Sequence, residues 1–271
     1  MSFREKYGPW ALITGASEGT GAAFARQIAA EGVNLILVAR REGPLAELGA
    51  EIRALGVDCV TASVDLFGAE AAARIAEAVG DREVGLFIAN AGADTNGSRF
   101  LDTAVGNWDD LISLNVTSTM RNCHRFAAPM AARGRGGIII VASGACYGGL
   151  SGLAVYCGSK AFELAFGEGL WAEMRHHGVE VLTLVLGRTD TPAHRKILEE
   201  SGQPIPQADA WADPVDVARL GLERLPHGPI QNWGEDDDTI RMSPNSPAQR
   251  REKILMIERM SAAYAAPKQD A

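Results

Sequence analysis

Tyr156 and Lys160 lie four residues apart in a stretch of helical pattern, so they share one face about one turn apart. A phenol ordinarily ionises near pH ~10. A neighbouring ammonium stabilises the phenolate, and such a pair can exchange a proton with an alcohol or a carbonyl near neutral pH. Ser143 follows the apolar run Gly137–Val141 and is placed to hydrogen-bond the oxygen of such a group. Towards the start of the chain, Thr14-Gly15-Ala16-Ser17-Glu18-Gly19-Thr20-Gly21 joins an apolar run to a helical one. Glycines there permit a tight turn and let the backbone approach a pyrophosphate, while the helix that follows offers free N–H groups and a favourable dipole. Each feature also has a plain structural reading: a surface Tyr–Lys pair, a helix-capping Ser, a strand–helix turn without ligand. No metal site is expected. Cys123-His124 and His176-His177 are adjacent pairs that point in different directions on a helix, and Glu235-Asp236-Asp237-Asp238 lacks the alternating ligands of a calcium loop.

The elements that must position these groups alternate along the chain. Candidate strands are Trp10–Thr14, Asn34–Ala39, Asp58–Val64, Val84–Ala89, Gly137–Val141 and Val179–Leu186, with a weaker one at Ile230–Trp233. Most are apolar throughout, which suits parallel strands covered on both faces. Between them Gly21–Ala30, Leu45–Leu55, Ala69–Val79, Asn107–Arg133 and Tyr156–His177 carry helical periodicity. The alternation predicts an α/β fold, a doubly wound parallel sheet in a single domain spanning 1–271 with helices on both faces. Residues 187–230 read as a loop-rich lid, in which Asp213-Pro214 opens a short helix. Ser246 and Gln249 are spaced as a capping box for a last helix over 246–266, apolar at Ile254, Ile257, Met260 and Tyr264. The 34 acidic and 26 basic residues leave a net charge of −8, which argues against nucleic acid and anionic membrane as partners. No apolar run approaches the ~18–20 residues of a membrane span. The four cysteines show no paired spacing, and a cytoplasmic protein with reduced thiols is the expectation.

The glycine spacing is T-G-x-x-x-G-x-G, and further motifs follow it in order: Asp65 after the third strand, Asn90-Ala91-Gly92 after the fourth, Asn115, Ser143 after the fifth, then Tyr156-x-x-x-Lys160. Over about residues 8–233 this set resembles the short-chain dehydrogenase/reductase family. The resemblance implies a Rossmann fold and hydride transfer between a nicotinamide cofactor and a carbonyl or alcohol, with Asn115, Ser143, Tyr156 and Lys160 as catalytic residues. It implies that Gly15, Ser17, Glu18, Gly19, Thr20 and Gly21 cradle the cofactor. Asp65 and Leu66 would meet its adenine side, Asn90, Ala91 and Gly92 would lie beside it, and Lys160 would bind the nicotinamide ribose. Asn115 would place a water linking Lys160 to solvent. Gly187, Thr189 and Thr191 would form the turn over the nicotinamide, although Leu186 stands where the family has a proline.

At the end of the second strand Ala39 occupies the place of the acid that accepts from a ribose 2′-hydroxyl in NAD enzymes. Arg40 follows it, and a guanidinium suits a 2′-phosphate. NADP(H) is therefore expected over NAD(H), against the carboxylate of Glu18 in the glycine turn. Ala93–Asn96, Gly144–Leu153 and Pro192–Ala212 would form a pocket with Cys146, Tyr147, Leu150, Leu153, Ile197, Leu198 and Trp211, which suits a mostly apolar ketone or secondary alcohol. Arg188, Arg195 and Lys196 would instead suit a 3-oxoacyl thioester, and the opening Lys6–Gly15 resembles members near the long-chain 3-ketoacyl and 17β-hydroxysteroid reductases. A non-catalytic NADP-sensing regulator on the same fold is the reading from another class. The resemblance also implies a homodimer or homotetramer packed through the two long helices.

Overall fold

The structure is a computed structural model that describes residues 1–92, 98–200, 211–240, 243 and 245–261. The pocket segments Ala93–Asn96 and 201–210, the side chains of Ile197, Ile257 and Met260, and the whole of Tyr264 lie outside the described part.

Side chains of a strand alternate between the faces of a sheet. Along β1 (Trp10–Thr14), Ala11 and Ile13 enter one core cluster and Leu12 the other; along β2 (Asn34–Ala39), Leu35 and Leu37 oppose Ile36 and Val38. Strands apolar on both faces require cover on both. With β3 (Cys59–Ser63), β4 (Val84–Ala89), β5 (Gly136–Ser143), β6 (Val179–Leu186) and β7 (Ile230–Asn232) they form one parallel sheet in the order β3-β2-β1-β4-β5-β6-β7. The direction of winding reverses between β1 and β4, and the crevice at the carboxyl ends of those strands is where such sheets bind ligands.

The helices are α1 (Phe3–Tyr7), α2 (Gly19–Ala30), α3 (Glu42–Ala54), α4 (Ala71–Val79), α5 (Val105–Ile112), α6 (Thr119–Arg133), α7 (Ala154–Met174), α8 (Pro192–Glu200), α9 (Pro214–Arg224) and α10 (Pro247–Ser261). Phe24 and Ile28 of α2, Leu45 of α3 and Val217 of α9 fill one face of the sheet. Ile75 of α4, Phe126 and Met130 of α6, and Phe166 and Leu170 of α7 fill the other. Both expected caps are present. The Asp213 carboxylate accepts from Val215 N–H at 2.8 Å. At α10, Ser246 N–H donates to Gln249 Oε1 at 3.0 Å and Gln249 N–H to Ser246 Oγ at 3.2 Å.

The expected single helix over 107–133 is divided. α5 gives way to a π-helical turn, Ser113–Ser118, before α6 resumes the α pitch. The residue types on either side continue a helical period, so nothing in the pattern announces the wider turn. The expected helix Tyr156–His177 ends instead at Met174 and passes into a 3₁₀ turn, Arg175–His177. α1 escapes periodicity because it has only five residues, yet Ser2 and Glu5 cap each other's backbone there. Among the described residues no helix is long and apolar enough to cross a membrane.

Candidate active site

β1 delivers the chain to the glycine turn at the crevice. Gly15 adopts φ of +65°, and a Cβ on it would lie 2.9 Å from Ala91 Cα. At Gly21 a Cβ would lie 2.2 Å from the Gly15 carbonyl oxygen. The turn is fastened to Asn90-Ala91-Gly92 at the end of β4. Thr14 Oγ1 accepts from the N–H groups of Asn90 and Ala91 at 3.1 and 3.2 Å, and Asn90 Nδ2 donates to the carbonyls of Thr14 and Gly15 at 3.1 and 3.0 Å. Ser17 is half-buried in the turn and Thr20 is buried at the start of α2. Thr191 packs over the turn, with its Cγ2 2.8 Å from where a Cβ of Gly19 would be. Thr189, behind it, is buried and donates to the Gly187 carbonyl at 3.3 Å. A backbone bridge between Thr189 and Ala212 holds this lid segment in place.

Two adjacent arginines at the end of β2 divide their work. Arg41 turns back and pairs with Glu18. Arg40 is exposed, its guanidinium 6.0 Å from the centre of the Phe67 ring. Asp65 is exposed beside them, and Leu66 packs against the core. The carboxylate expected to oppose a phosphate thus has its own cation, a pairing invisible in the linear sequence.

The catalytic candidates converge from three elements. Tyr156 and Lys160 share a face of α7, with Lys160 Nζ 5.8 Å from the Tyr156 ring centre. The π-helical turn carries Asn115, wholly buried, whose Nδ2 donates to Ser159 Oγ at 2.9 Å; Ser159 donates in turn to the Tyr156 carbonyl at 2.8 Å. From the end of β4, Gly92 closes the group: a Cβ there would lie 2.9 Å from Lys160 Nζ and 3.1 Å from Asn115 Oδ1. Asn115 Oδ1 is buried and has no hydrogen-bond partner among the described residues. Ser143, at the end of β5, is half-buried, and its hydroxyl accepts from Ala145 N–H at 3.3 Å. Sequence reading missed Glu163. It is 1% exposed and accepts both of its hydrogen bonds from Lys160, which is 2% exposed. Its spacing, three residues beyond Lys160, was the available signal. Burial would lower the Lys160 ammonium, but the charge of Glu163 and the Tyr156 phenol more than offset this and hold it above the ordinary lysine range. Burial pushes Glu163 up, against the pull of Lys160.

A family model described as short chain dehydrogenase matches residues 9–202. The chain belongs to the short-chain dehydrogenase family. It is an oxidoreductase acting on a CH–OH group with NAD(P). It is 33% identical over 224 residues to a very-long-chain 3-oxoacyl-CoA reductase of Laccaria bicolor, covering 81% of this chain but only 65% of that protein. It is 34% identical over 194 residues to a 7beta-hydroxysteroid dehydrogenase of Collinsella aerofaciens, covering 71% of this chain and 73% of that one. Among solved structures, a 7beta-hydroxysteroid dehydrogenase superposes with a TM-score of 0.80 at 29% identity, over 94% of this chain and 99% of the other. A short-chain dehydrogenase from Sphingobium yanoikuyae in complex with NADPH gives 0.76 at 25% identity, over 97% and 99%. The residues present fit such a cofactor. The glycine turn carries no side chain at Gly15, Gly19 or Gly21, and an orphaned buried amide oxygen lies with Lys160 around Gly92.

Proposed function

We propose that this short-chain dehydrogenase is an NADP(H)-dependent reductase of a mostly apolar ketone, with Tyr156 as the proton donor. The observation that carries the reading is the meeting of Tyr156, Lys160, Asn115 and Gly92 beside the glycine turn. Bound NADPH supplies the hydride that adds to the carbonyl carbon. Tyr156 Oη gives its proton to the carbonyl oxygen, and Ser143 orients that oxygen by hydrogen bonding. Lys160 stabilises the phenolate left behind and holds the ribose. Asn115 Oδ1, with no donor among the described residues, takes a water through which the proton is replaced. The glycine turn, Asn90 and Ala91 bind the pyrophosphate and adenosine side, with Asp65 and Leu66 at the adenine.

Arg41 neutralises Glu18 and leaves the Arg40 guanidinium, exposed above Phe67, for a 2′-phosphate; this supports NADP(H) over NAD(H). Beyond Ser143, Leu150 is exposed while Cys146 and Tyr147 pack in a core cluster with Leu164 and Ile230, and the Trp211 ring seats the lid against His194, with ring centres 4.8 Å apart. A 3-oxoacyl thioester is the second reading, because the Laccaria bicolor relative bears that activity in its name. The charge of Arg195 does not favour it, being taken up by Asp190 at 2.5 and 2.6 Å. A homodimer or homotetramer through α5, α6 and α7 is supported by the exposure of Ile112 and Met120 and by the stacked Phe162 and Phe166.

The test is NADPH oxidation across a panel of steroid ketones, other bulky apolar ketones and a 3-oxoacyl thioester, with Tyr156→Phe alongside. Wild-type turnover should vanish in the variant while NADPH binding stays. Turnover by the variant removes Tyr156 from the mechanism. Binding of NADPH without turnover of any ketone favours a sensor.

A further inference from the structure

The Lys160–Glu163 pair is buried more completely than the chemistry above requires. Both Glu163 oxygens accept from Lys160 Nζ, at 3.0 and 2.8 Å, and the Val141 carbonyl of β5 accepts at 3.2 Å. The carboxylate and the carbonyl together hold the ammonium from the interior. Tyr156, Lys160 and Glu163 follow one stripe of α7, at i, i+4 and i+7. We propose that Glu163 is a positioning residue of the proton-transfer centre: it anchors the Lys160 ammonium from the interior and, by neutralising it, makes Tyr156 hold its proton more tightly. The inference rests on the assignment of Tyr156 as proton donor.

The neighbours of the pair confine its charge. The sheet beneath offers the Val141 carbonyl from β5 and, lower down, Thr183 of β6 against Gly167 of α7. The π-helical turn offers the Asn115 amide. Cys123 of α6 and Cys146 of the 3₁₀ turn after β5 (Gly144–Tyr147) feel Glu163, but burial raises both thiols, Cys146 to about 12, and they stay neutral. Arg250 of α10 also acts on Cys146, and it is itself held by Glu168 at 2.6 and 2.9 Å. The charge of the centre is therefore set by Tyr156, Lys160 and Glu163.

Proton counting then gives the sign. With Glu163 ionised, the centre is neutral while the phenol keeps its proton and carries −1 after losing it. With Gln at 163 it carries +1 before the loss and zero after it. Creating a buried anion is harder than discharging a buried cation, whichever of the two coupled groups releases the proton. Glu163 thus raises the pH to which Tyr156 remains a donor, which favours carbonyl reduction over alcohol oxidation.

The experiment is an ultraviolet difference titration of the NADP⁺-bound protein, each form measured against its own Tyr156→Phe counterpart, so that only the Tyr156 phenolate is seen. Glu163→Gln should lower the midpoint by about one pH unit. Glu163→Asp, which keeps the charge, should leave it within a few tenths of wild type. An unmoved or raised midpoint in Glu163→Gln overturns the proposal. So does a fall in Glu163→Asp of the size expected for Gln, which keeps the idea testable if the Gln variant does not fold. Failure of the underlying reading shows separately, as ketone turnover by Tyr156→Phe.

Discussion

Gly21→Ala sets two effects of opposite sign against each other. Gly21 lies in the first turn of α2, where Ala would stabilise the helix by up to about 1 kcal/mol. The added methyl would lie 2.2 Å from the Gly15 carbonyl oxygen, 2.6 Å from Asn90 Nδ2 and 3.0 Å from Ala16 Cα, where ordinary contact begins at 3.4 Å. The glycine turn must therefore retreat by about 1.2 Å. It cannot do so alone, because Asn90 Nδ2 ties the Thr14 and Gly15 carbonyls to β4. Overpacking against backbone costs about 1–3 kcal/mol, more than the helix gains, and it displaces the amides proposed to bind the pyrophosphate. The expected outcome is a melting temperature lower by a few degrees and an NADPH dissociation constant raised at least about tenfold, equivalent to ~1.4 kcal/mol. Fluorescence titration with NADPH and calorimetry read the two quantities. Gly43→Ala, in the first turn of α3, meets nothing within 4 Å and serves as control: it should leave NADPH binding unchanged and raise the melting temperature by a few degrees at most. Wild-type NADPH affinity in Gly21→Ala would refute the placement of the cofactor on this turn.

Arg40→Ala should weaken NADPH binding by about tenfold or more and leave NADH nearly unchanged, as expected for loss of one guanidinium–phosphate contact; equal effects on both would place the phosphate site elsewhere. Light scattering at micromolar concentration should show a dimer or tetramer, and a monomer would contradict the role given to the outer face of α5, α6 and α7.

The sheet was readable because its strands are short, almost wholly apolar and separated by helical periods, so burial on both faces was the only arrangement consistent with them. The caps at Asp213 and Ser246 were readable for a local reason: each hydrogen bond spans two or three residues. The fastening of Asn90 to Thr14 spans 76 residues, and the motifs' order implied that meeting only through the family resemblance. Arg40 and Arg41 are alike in sequence, and only the position of Glu18 across the turn decides which one is engaged. The π-helical turn, which aims Asn115 at Ser159, leaves the helical pattern of residue types intact and so gave no warning.

Glu163 was hidden by a stronger prior, because a charge three residues from a lysine on a helix is ordinarily a solvated pair of small worth. What reverses that prior is the closeness of α7 to the sheet. A Cβ at Gly167 would lie 2.0 Å from Thr183 Oγ1, and one at Gly92 would lie 2.9 Å from Lys160 Nζ. Glycine at both positions lets helix, strand end and lysine approach until water is excluded. An ammonium in such a place costs several kcal/mol unless it is paired. A lysine seated so deeply therefore needs a counter-charge in the protein, and Glu163 provides it from the same helix face. The Tyr156–Lys160 pair and its buried carboxylate are thus one consequence of packing, set by the close approach that Gly92 and Gly167 allow.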